Sequence, residues 1–374
     1  MVQRKKILFI MSSLGEGGAE KVLVTMLKHF DYNRFDVSLA LTSQSGRYLT
    51  EIPEQVKILS FFPGSRCFWE RIAFSLYSRF TIKSLECFLV RRAVRESFDT
   101  IVSFCQGRPL RYHYYLLNRG HHNITWVHTD LYSCYVRDEK KWRLADEKCF
   151  YESMSELVFV SEEARRNFMK FDFSLQKASV IRNPIDAEEI RRGVEKVEER
   201  QVKSPSIVLC GRLHLVKAFD RMVRIAKRLR AENISFHMEI LGEGPERENL
   251  QQLIVSENLQ DVVCLRGFVS PPYPEMAQAD VFVSCSLTEG YPLNVCEAMC
   301  LGLPIVATRC AGNTEVLADG KYGMLVDQDE DDLYRAVKEM LLNKEKREEY
   351  AERSRDGARL FDLKRVMEQV YDVL

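Results

Sequence analysis

The chain has 374 residues, of which 46% are hydrophobic and 29% charged, a composition typical of a soluble globular protein with room for two domains. No apolar run reaches the roughly 18–20 residues of a membrane span, and the first apolar stretch, Ile7–Met11, is too short for a signal peptide. Net charge is zero and no nucleic-acid recognition motif is present, which argues against nucleic-acid binding. We therefore expect a cytoplasmic protein.

The first half of the chain alternates short apolar strands with helical patterns. Its predicted strands are Ile7–Met11, Val37–Leu41, Val56–Leu59, Thr100–Phe104, Ile124–His128, Leu157–Val160 and Ala178–Ile181. Strands that are apolar along almost their whole length indicate a parallel sheet covered by helices on both faces.

A glycine-rich turn follows the first strand. Gly15 and Gly17 fit a dinucleotide fingerprint, but its third glycine is replaced by Glu20, and the second strand ends without an acidic residue. These two departures argue against a nicotinamide site. The Gly17-Gly18 turn opens a helix, where free amides suit a phosphate or a sugar hydroxyl, or it serves the geometry of the turn alone.

A basic segment, Arg66–Arg95, carries seven Lys or Arg residues against two Glu, with aromatic and aliphatic residues between them. It lies within residues 1–184, whose net charge is +8 (28 basic, 20 acidic), whereas the remainder is −8 (26 basic, 34 acidic). A basic amphipathic helix is typical of peripheral contact with an anionic membrane, and equally of a core-packed helix with a solvated basic face.

A charged connector, residues 185–204, follows Asn183-Pro184 and separates the two halves. The strands predicted after it are Ser206–Cys210, Ser235–Leu241, Val262–Leu265, Val281–Ser284, Pro304–Thr308 and Gly323–Val326. We therefore predict an N-terminal Rossmann-like domain over residues 1–184 and a second over residues 205–360. The helical pattern of residues 361–374 has no strand after it and is expected to dock back on the first domain. Ligands of such sheets bind beyond the carboxyl ends of the strands, so the two domains are expected to face each other across a cleft.

Two cations follow the first strand of the second half. Arg212 comes after Gly211 at the strand end, and Lys217 precedes the next helix. An arginine fork and a lysine point charge can together neutralise a pyrophosphate, although this spacing also suits two exposed surface cations. A second glycine turn contains Gly244, and Phe268 follows a later strand end where exposed backbone could meet a base edge.

The stretch from Ser284 to Thr308 is the most informative. Glu289 lies in the loop after a strand and Glu297 lies inside the helix that follows. Backbone amides at the start of that helix could bind an anion, and the two carboxylates could accept hydrogen bonds from sugar hydroxyls. The alternative is a pair of capping and surface glutamates. The candidate backbone positions are Gly290, Tyr291, Leu293 and Asn294.

The eleven cysteines are scattered, without a Cys-x-x-Cys pair, and are expected to be reduced thiols. An Asp-x-Asp sequence within residues 327–332 follows the last strand, where stabilisation of a helix N-terminus is a sufficient explanation. We expect no cofactor and no required metal.

Taken in order, these motifs resemble the retaining glycosyltransferases of family 4, which have the two-domain GT-B fold. The resemblance covers nearly the whole chain. Its marks are Gly17-Gly18-Ala19-Glu20, Trp126-Val127-His128-Thr129-Asp130, Arg182-Asn183-Pro184-Ile185-Asp186, Gly211-Arg212 with Lys217, Leu241-Gly242-Glu243-Gly244, the pair Glu289 and Glu297, and Ala311-Gly312-Asn313-Thr314-Glu315.

The resemblance implies a role for each matching residue. Arg212 and Lys217 would hold the donor diphosphate, Glu289 the sugar hydroxyls and Glu297 the ribose hydroxyls. The region of Phe268 would meet the base, and His128 would stand near the reacting sugar. Many relatives have glycine after the lysine, where this chain has Ala218, which leaves the cation in place and alters the turn.

The expected activity is transfer of a hexose or N-acetylhexosamine, with retention, from a nucleoside-diphosphate sugar to a hydroxyl of a glycan or lipid-linked glycan. Family frequency favours a UDP-sugar, and the basic first half favours an acceptor at the inner face of the plasma membrane. The alternatives are a nucleotide-sugar epimerase or hydrolase on the same fold, and a catalytically silent glycosyltransferase-like subunit.

Overall fold

The computed structural model describes residues 3–15, 17–62, 72, 75, 84–137, 142–195 and 204–374. It divides into two compact units, one of residues 1–184 with 364–374 and the other of residues 185–363. Each unit is built on one parallel sheet, as the continuously apolar strands predicted.

The sheet of the first unit has seven parallel strands in the order β3-β2-β1-β4-β5-β6-β7. The strands are β1 (Lys5–Met11), β2 (Phe35–Leu41), β3 (Lys57–Ser60), β4 (Phe98–Ser103), β5 (Gly120–Val127), β6 (Glu156–Phe159) and β7 (Ala178–Val180). The order reverses between β1 and β4, where β1 pairs with β4 from Ile7 opposite Thr100 to Ile10 opposite Ser103.

Helices connect these strands. They are α1 (Gly18–Lys28), α2 (Ser84–Ala93), α3 (Arg108–Tyr115), α4 (Leu131–Arg137), α5 (Trp142–Glu152) and α6 (Glu162–Phe168). The central strand β1 is buried from Ile7 to Met11, because helices cover both faces of the sheet. Buried groups from the helices, among them Tyr112 on α3 and Phe168 on α6, complete the core.

The sheet of the second unit has six parallel strands in the order β10-β9-β8-β11-β12-β13. The strands are β8 (Ser206–Cys210), β9 (His237–Leu241), β10 (Val263–Gly267), β11 (Val281–Ser284), β12 (Ile305–Thr308) and β13 (Met324–Val326). All thirteen predicted strands are thus present, and the predicted fold class of two doubly wound α/β domains is confirmed.

The helices of this unit are α7 (Ala187–Arg192), α8 (Phe219–Ala231), α9 (Arg247–Ser256), α10 (Tyr273–Ala277), α11 (Leu293–Cys300), α12 (Ala311–Val316), α13 (Glu330–Leu342) and α14 (Lys344–Ala358). Helix α13 begins at the acidic run, where the Asp329 side chain accepts hydrogen bonds from the amides of Asp331 (2.8 Å) and Asp332 (3.2 Å). This run therefore caps a helix, as the sequence suggested.

The predicted connector begins with α7, which belongs to the second unit. Asp186 caps it by accepting a hydrogen bond from the Glu189 amide at 2.8 Å, and Ile190 is buried. The charged pattern concealed this helix because a single apolar residue anchors it. Residues 196–203 lie outside the described part of the chain.

The last helix, α15 (Leu363–Val373), belongs to the first unit. Its Tyr371 hydroxyl accepts a hydrogen bond from the Asp31 amide at 3.0 Å and donates one to the His29 carbonyl at 2.9 Å. The helix therefore packs beside the end of α1.

Most of the basic segment Arg66–Arg95 lies outside the described residues, and α2 is its described helix. Within the described ranges, none of the helices combines the length and apolar character needed to cross a bilayer. The ten described cysteines are all free thiols, which agrees with the expected reduced state.

Candidate functional site

The candidate site lies at the carboxyl ends of β8 and β11. These strands are adjacent, and the chain continues from β8 to β9 on one side but from β11 to β12 on the other. Loops diverge at such a switch point and leave a crevice, which is where ligands of open α/β sheets bind. Lys217 follows β8 and Glu289 follows β11, so the topology alone places the two predicted residues on the same edge.

Lys217 and Glu289 contact each other directly. The Lys217 ammonium donates a hydrogen bond to Glu289 Oε1, and their side chains are 17% and 13% exposed. The Ser286 hydroxyl donates to the same oxygen at 2.7 Å. Two donors on one carboxylate oxygen fix the Glu289 side chain and leave Oε2 without a contact to either of them.

Burial disfavours the charged form of Lys217, but the Glu289 carboxylate outweighs burial and the net effect is a raised pKa. Lys217 is therefore a cation across the neutral range. The turn that carries Lys217 is fixed by the Cys285 thiol, which donates hydrogen bonds to the carbonyls of Lys217 (3.1 Å) and Ala218 (3.4 Å). Burial raises the pKa of this thiol to about 12, so it stays protonated and available as a donor.

Ala218 adopts the left-handed conformation, with φ 51° and ψ 39°. The family resemblance implies glycine at this position, and the conformation gives a reason, because L-residues other than glycine are strained there. The turn keeps the conformation that glycine favours, and Lys217 keeps its place.

Arg212 has a different environment. It is exposed, and it makes no hydrogen bond or ion pair with the described residues. Its guanidinium group is therefore a cation that no carboxylate of the described residues neutralises. Lys217, by contrast, is paired with Glu289.

The glycine turns allow three loops to pack backbone against backbone. A Cβ on Gly242 would lie 1.9 Å from the Gly211 carbonyl oxygen, and one on Gly244 would lie 2.3 Å from the Leu213 carbonyl oxygen. The Gly242 amide also donates to the Gly267 carbonyl at 2.7 Å. No side chain fits between these loops, so the ends of β8, β9 and β10 form one closely packed backbone surface.

Helix α11 opens toward the same edge. Its first residues, Leu293 and Asn294, have backbone amides without a hydrogen-bond acceptor among the described residues. The Asn294 side chain donates to the Cys210 carbonyl at 2.6 Å, which ties the helix to the end of β8. Helix N-termini with free amides attract anions.

The other predicted residues of the second unit lie in α11 or in the loops after β10 and β11. Gly290 and Tyr291 are buried in the preceding loop, Glu297 is 5% exposed within α11, and Phe268 is half-buried after β10. Glu297 is thus a buried acid rather than a surface glutamate, which argues against the surface alternative considered from the sequence.

Sequence reasoning missed Ser286, Gly242 and the side-chain role of Asn294. The Asn294 side chain acts on Cys210, 84 positions away in sequence, which no local pattern encodes. Ser286 contacts Glu289 only three positions away, but its spacing alone does not indicate this hydrogen bond. Gly242 stands in a motif that the sequence did offer, and its close approach to Gly211 is visible only in the tertiary structure.

His128 and the Gly17-Gly18 turn belong to the first unit. His128 follows β5 with its ring 4.7 Å from that of Phe104, and its Nε2 is buried without a hydrogen-bond partner among the described residues. Burial lowers the pKa of His128 to about 3, so its imidazole is neutral. Gly17 precedes α1 and Gly18 begins it, at the carboxyl end of β1.

The described residues contain no group of three or more His, Cys, Asp or Glu that could hold a metal ion.

Comparisons with known proteins bear on the fold and on the second unit of the chain. The model of the family described as Glycosyl transferases group 1 matches residues 189–357. The chain is 31% identical over 194 residues to the N-acetylgalactosamine-N,N'-diacetylbacillosaminyl-diphospho-undecaprenol 4-alpha-N-acetylgalactosaminyltransferase of Campylobacter jejuni, which is 51% of this chain and 52% of that protein. It thus spans about half the length of that relative.

An uncharacterized glycosyltransferase of Haemophilus influenzae is 23% identical over 99% of this chain and 100% of its own. Among solved structures, Anabaena HepE in complex with UDP and glucose superposes with a TM-score of 0.78 at 19% identity, over 99% of each chain. The fold is therefore GT-B. The similarity to the group 1 glycosyl transferases extends over residues 189–357.

Proposed function

We propose that this protein is a retaining hexosyltransferase of family 4. It would move a hexose or N-acetylhexosamine from a UDP-sugar to a hydroxyl of a glycan or lipid-linked glycan. The observation that carries the proposal is the largely buried Lys217–Glu289 pair at the switch point of the second sheet, together with Arg212, which no carboxylate of the described residues neutralises. The name of the Campylobacter relative contains a diphospho-undecaprenol-linked sugar, which supports a lipid-linked acceptor. The UDP and glucose bound to HepE support a UDP-sugar donor.

Binding of the donor follows from the charges at this edge. Arg212 offers a bidentate fork and Lys217 a point charge to the two phosphates, and the α11 amides add the positive end of a helix. The packed backbone of Gly211, Gly242 and Gly244 lets the diphosphate approach without meeting a Cβ. Glu289 and Glu297 would accept hydrogen bonds from the sugar and ribose hydroxyls.

In the transfer step, the bond between the anomeric carbon and the β-phosphate oxygen breaks while the acceptor oxygen bonds to the anomeric carbon. Negative charge grows on the departing diphosphate, and Arg212 and Lys217 stabilise it in the transition state. Attack on the face that the leaving group occupied allows a β-phosphate oxygen to take the acceptor proton. UDP leaves and the anomeric configuration is kept.

His128 of the first unit, neutral and with a free Nε2, suits a hydrogen bond to a sugar hydroxyl rather than a cationic role. We further propose that the reaction needs no metal, since side-chain cations and a helix end supply the positive charge. The basic first half would suit a protein working at the cytoplasmic face of an anionic membrane.

A thermal-shift screen against UDP-, GDP-, ADP- and TDP-sugars, followed by mass spectrometry of products on a lipid-linked sugar acceptor, tests the proposal. We expect stabilisation by a UDP-sugar, and a glycosylated acceptor formed equally well with EDTA present. Consumption of the donor without acceptor would instead identify an epimerase or hydrolase. Binding without any turnover would identify a silent subunit.

A further inference from the structure

We propose that Glu289 has a second role: in the sugar-free site it competes with the diphosphate for Lys217, so that the site discriminates against UDP and releases it after transfer. This inference rests on the proposed function of the same site. It adds a specificity role that contact with the donor sugar does not require.

Hydrogen bonds from neighbouring residues fix the position of the Lys217–Glu289 pair. Ser286 donates to Glu289 Oε1 at 2.7 Å, and the Ser286 carbonyl accepts from Thr308 Oγ1 at 2.7 Å and from Gln328 Nε2 at 3.1 Å. The loop carrying Glu289 is also fixed by the Gly312 amide, which donates to the Glu289 carbonyl at 3.0 Å. These contacts hold the Glu289 carboxylate beside Lys217.

The charges lead to a competition. Lys217 and Glu289 sum to zero, and both are largely desolvated, so their interaction is less screened by solvent than that of a surface pair. A diphosphate that approaches Lys217 meets the carboxylate as well, and repulsion offsets part of the attraction. Arg212 remains the cation that no described carboxylate opposes.

A donor sugar changes this balance. Its hydroxyls donate hydrogen bonds to the Glu289 oxygens, and these bonds stabilise the carboxylate charge. Lys217 can then donate to the phosphates instead of to Glu289. UDP has no such hydroxyl beyond its diphosphate, so it meets the repulsion without the compensation. The same carboxylate thus favours the substrate and disfavours the product.

Isothermal titration calorimetry on the full chain tests this with three probes: UDP, UDP-glucose and UDP-N-acetylglucosamine. Glu289→Gln keeps the shape of the side chain and removes its charge. We expect UDP to bind Glu289→Gln about tenfold more tightly than the wild type, and the ratio of Kd for UDP to Kd for the better-bound UDP-sugar to fall at least threefold.

Two further variants locate the effect. Glu239→Gln removes the charge of a 13%-exposed glutamate on β9, away from Lys217, and should change the Kd for UDP less than twofold. In a Lys217→Met background, the tightening caused by Glu289→Gln should shrink at least threefold, since the cation over which the groups compete is gone. Thermal melting confirms that each variant is folded.

The outcomes separate the two proposals. If the folded wild type binds no nucleotide diphosphate, the proposed function fails and this inference falls with it. If the wild type binds UDP but Glu289→Gln binds it equally or more weakly, the competition is wrong and the proposed function stands. Equal tightening in the presence and absence of Lys217 would also overturn the competition.

Discussion

The two units have the same sheet order around the switch point but opposite chemistry at the carboxyl ends of their strands. In the second unit, Lys217 and Glu289 are charged, largely buried and paired, and the exposed Arg212 has no ion-pair partner among the described residues. In the first unit, β5 lies one strand beyond the switch point and is followed by His128, which is neutral and whose Nε2 has no hydrogen-bond partner among the described residues. One type of sheet therefore carries a charged, paired edge in one unit and a neutral histidine in the other.

The largest expected effect comes from removing the positive charge of Lys217 in the second unit. Lys217→Met should lower turnover about 10²–10³-fold, because charge on the departing diphosphate loses its buried cation. Steady-state sugar transfer at saturating donor measures this. Arg224→Met, a matched change at a 44%-exposed cation on α8, should leave turnover within twofold. Turnover of Lys217→Met at half the wild-type rate would contradict the role of Lys217.

The next effect concerns the glycine turns of the two units. Gly242→Ala should lower the free energy of unfolding by about 3 kcal/mol, since its Cβ would lie 1.9 Å from the Gly211 carbonyl oxygen and the backbone must move. Gly15→Ala in the first unit is the control, as its Cβ would have no heavy atom closer than Ser13 Oγ at 4.0 Å. Denaturant unfolding compares them. Equal losses would show that the second turn is no tighter than the first.

A smaller effect is the pH dependence of the free energy of unfolding, which two buried histidines of the first unit contribute. Burial lowers the pKa of His128 to about 3 and that of His113 to about 4, whereas both bind protons near pH 6.5 in the unfolded chain. Their contribution is fully present above pH 6.5 and is lost as pH falls toward 4 and 3, at about 2 kcal/mol each by pH 5. His128→Asn should remove about half of this dependence. Denaturant unfolding at pH 7.5 and pH 5 measures it, and an unchanged difference would show that His128 titrates normally.

The smallest effect tests the strained turn beside Lys217. Ala218→Gly should raise the free energy of unfolding by up to about 1 kcal/mol, because relief of the left-handed strain exceeds the added flexibility of glycine. Asn233→Gly is the comparison, since asparagine tolerates the same conformation at φ 57° and should gain less. A loss of stability in Ala218→Gly would mean that the alanine methyl contributes packing that outweighs its strain.

The sequence predicted the fold well because its signals are local. Continuous apolar runs such as Ile7–Met11 mark strands buried on both faces, and their alternation with helices restricts the topology to a parallel doubly wound sheet. Helix α7 was read as a connector because its pattern offers one buried residue, Ile190. The helical periodicity of residues 361–374 predicts helix α15. Only the hydrogen bonds of Tyr371 with His29 and Asp31 show which part of the first unit this helix packs against.

For the site, the sequence by itself determined which chemistry the chain carries: two cations after one strand, two acids around a helix start, and a histidine after another. Only the tertiary structure decided how these groups pair. It placed Lys217 against Glu289 across 72 positions of sequence, added Ser286 to the same oxygen, and left Arg212 without an ion-pair partner in the described part of the chain. Motifs record residue types at local spacing, whereas the strength of a charge depends on burial and on neighbours that the fold brings from elsewhere in the chain.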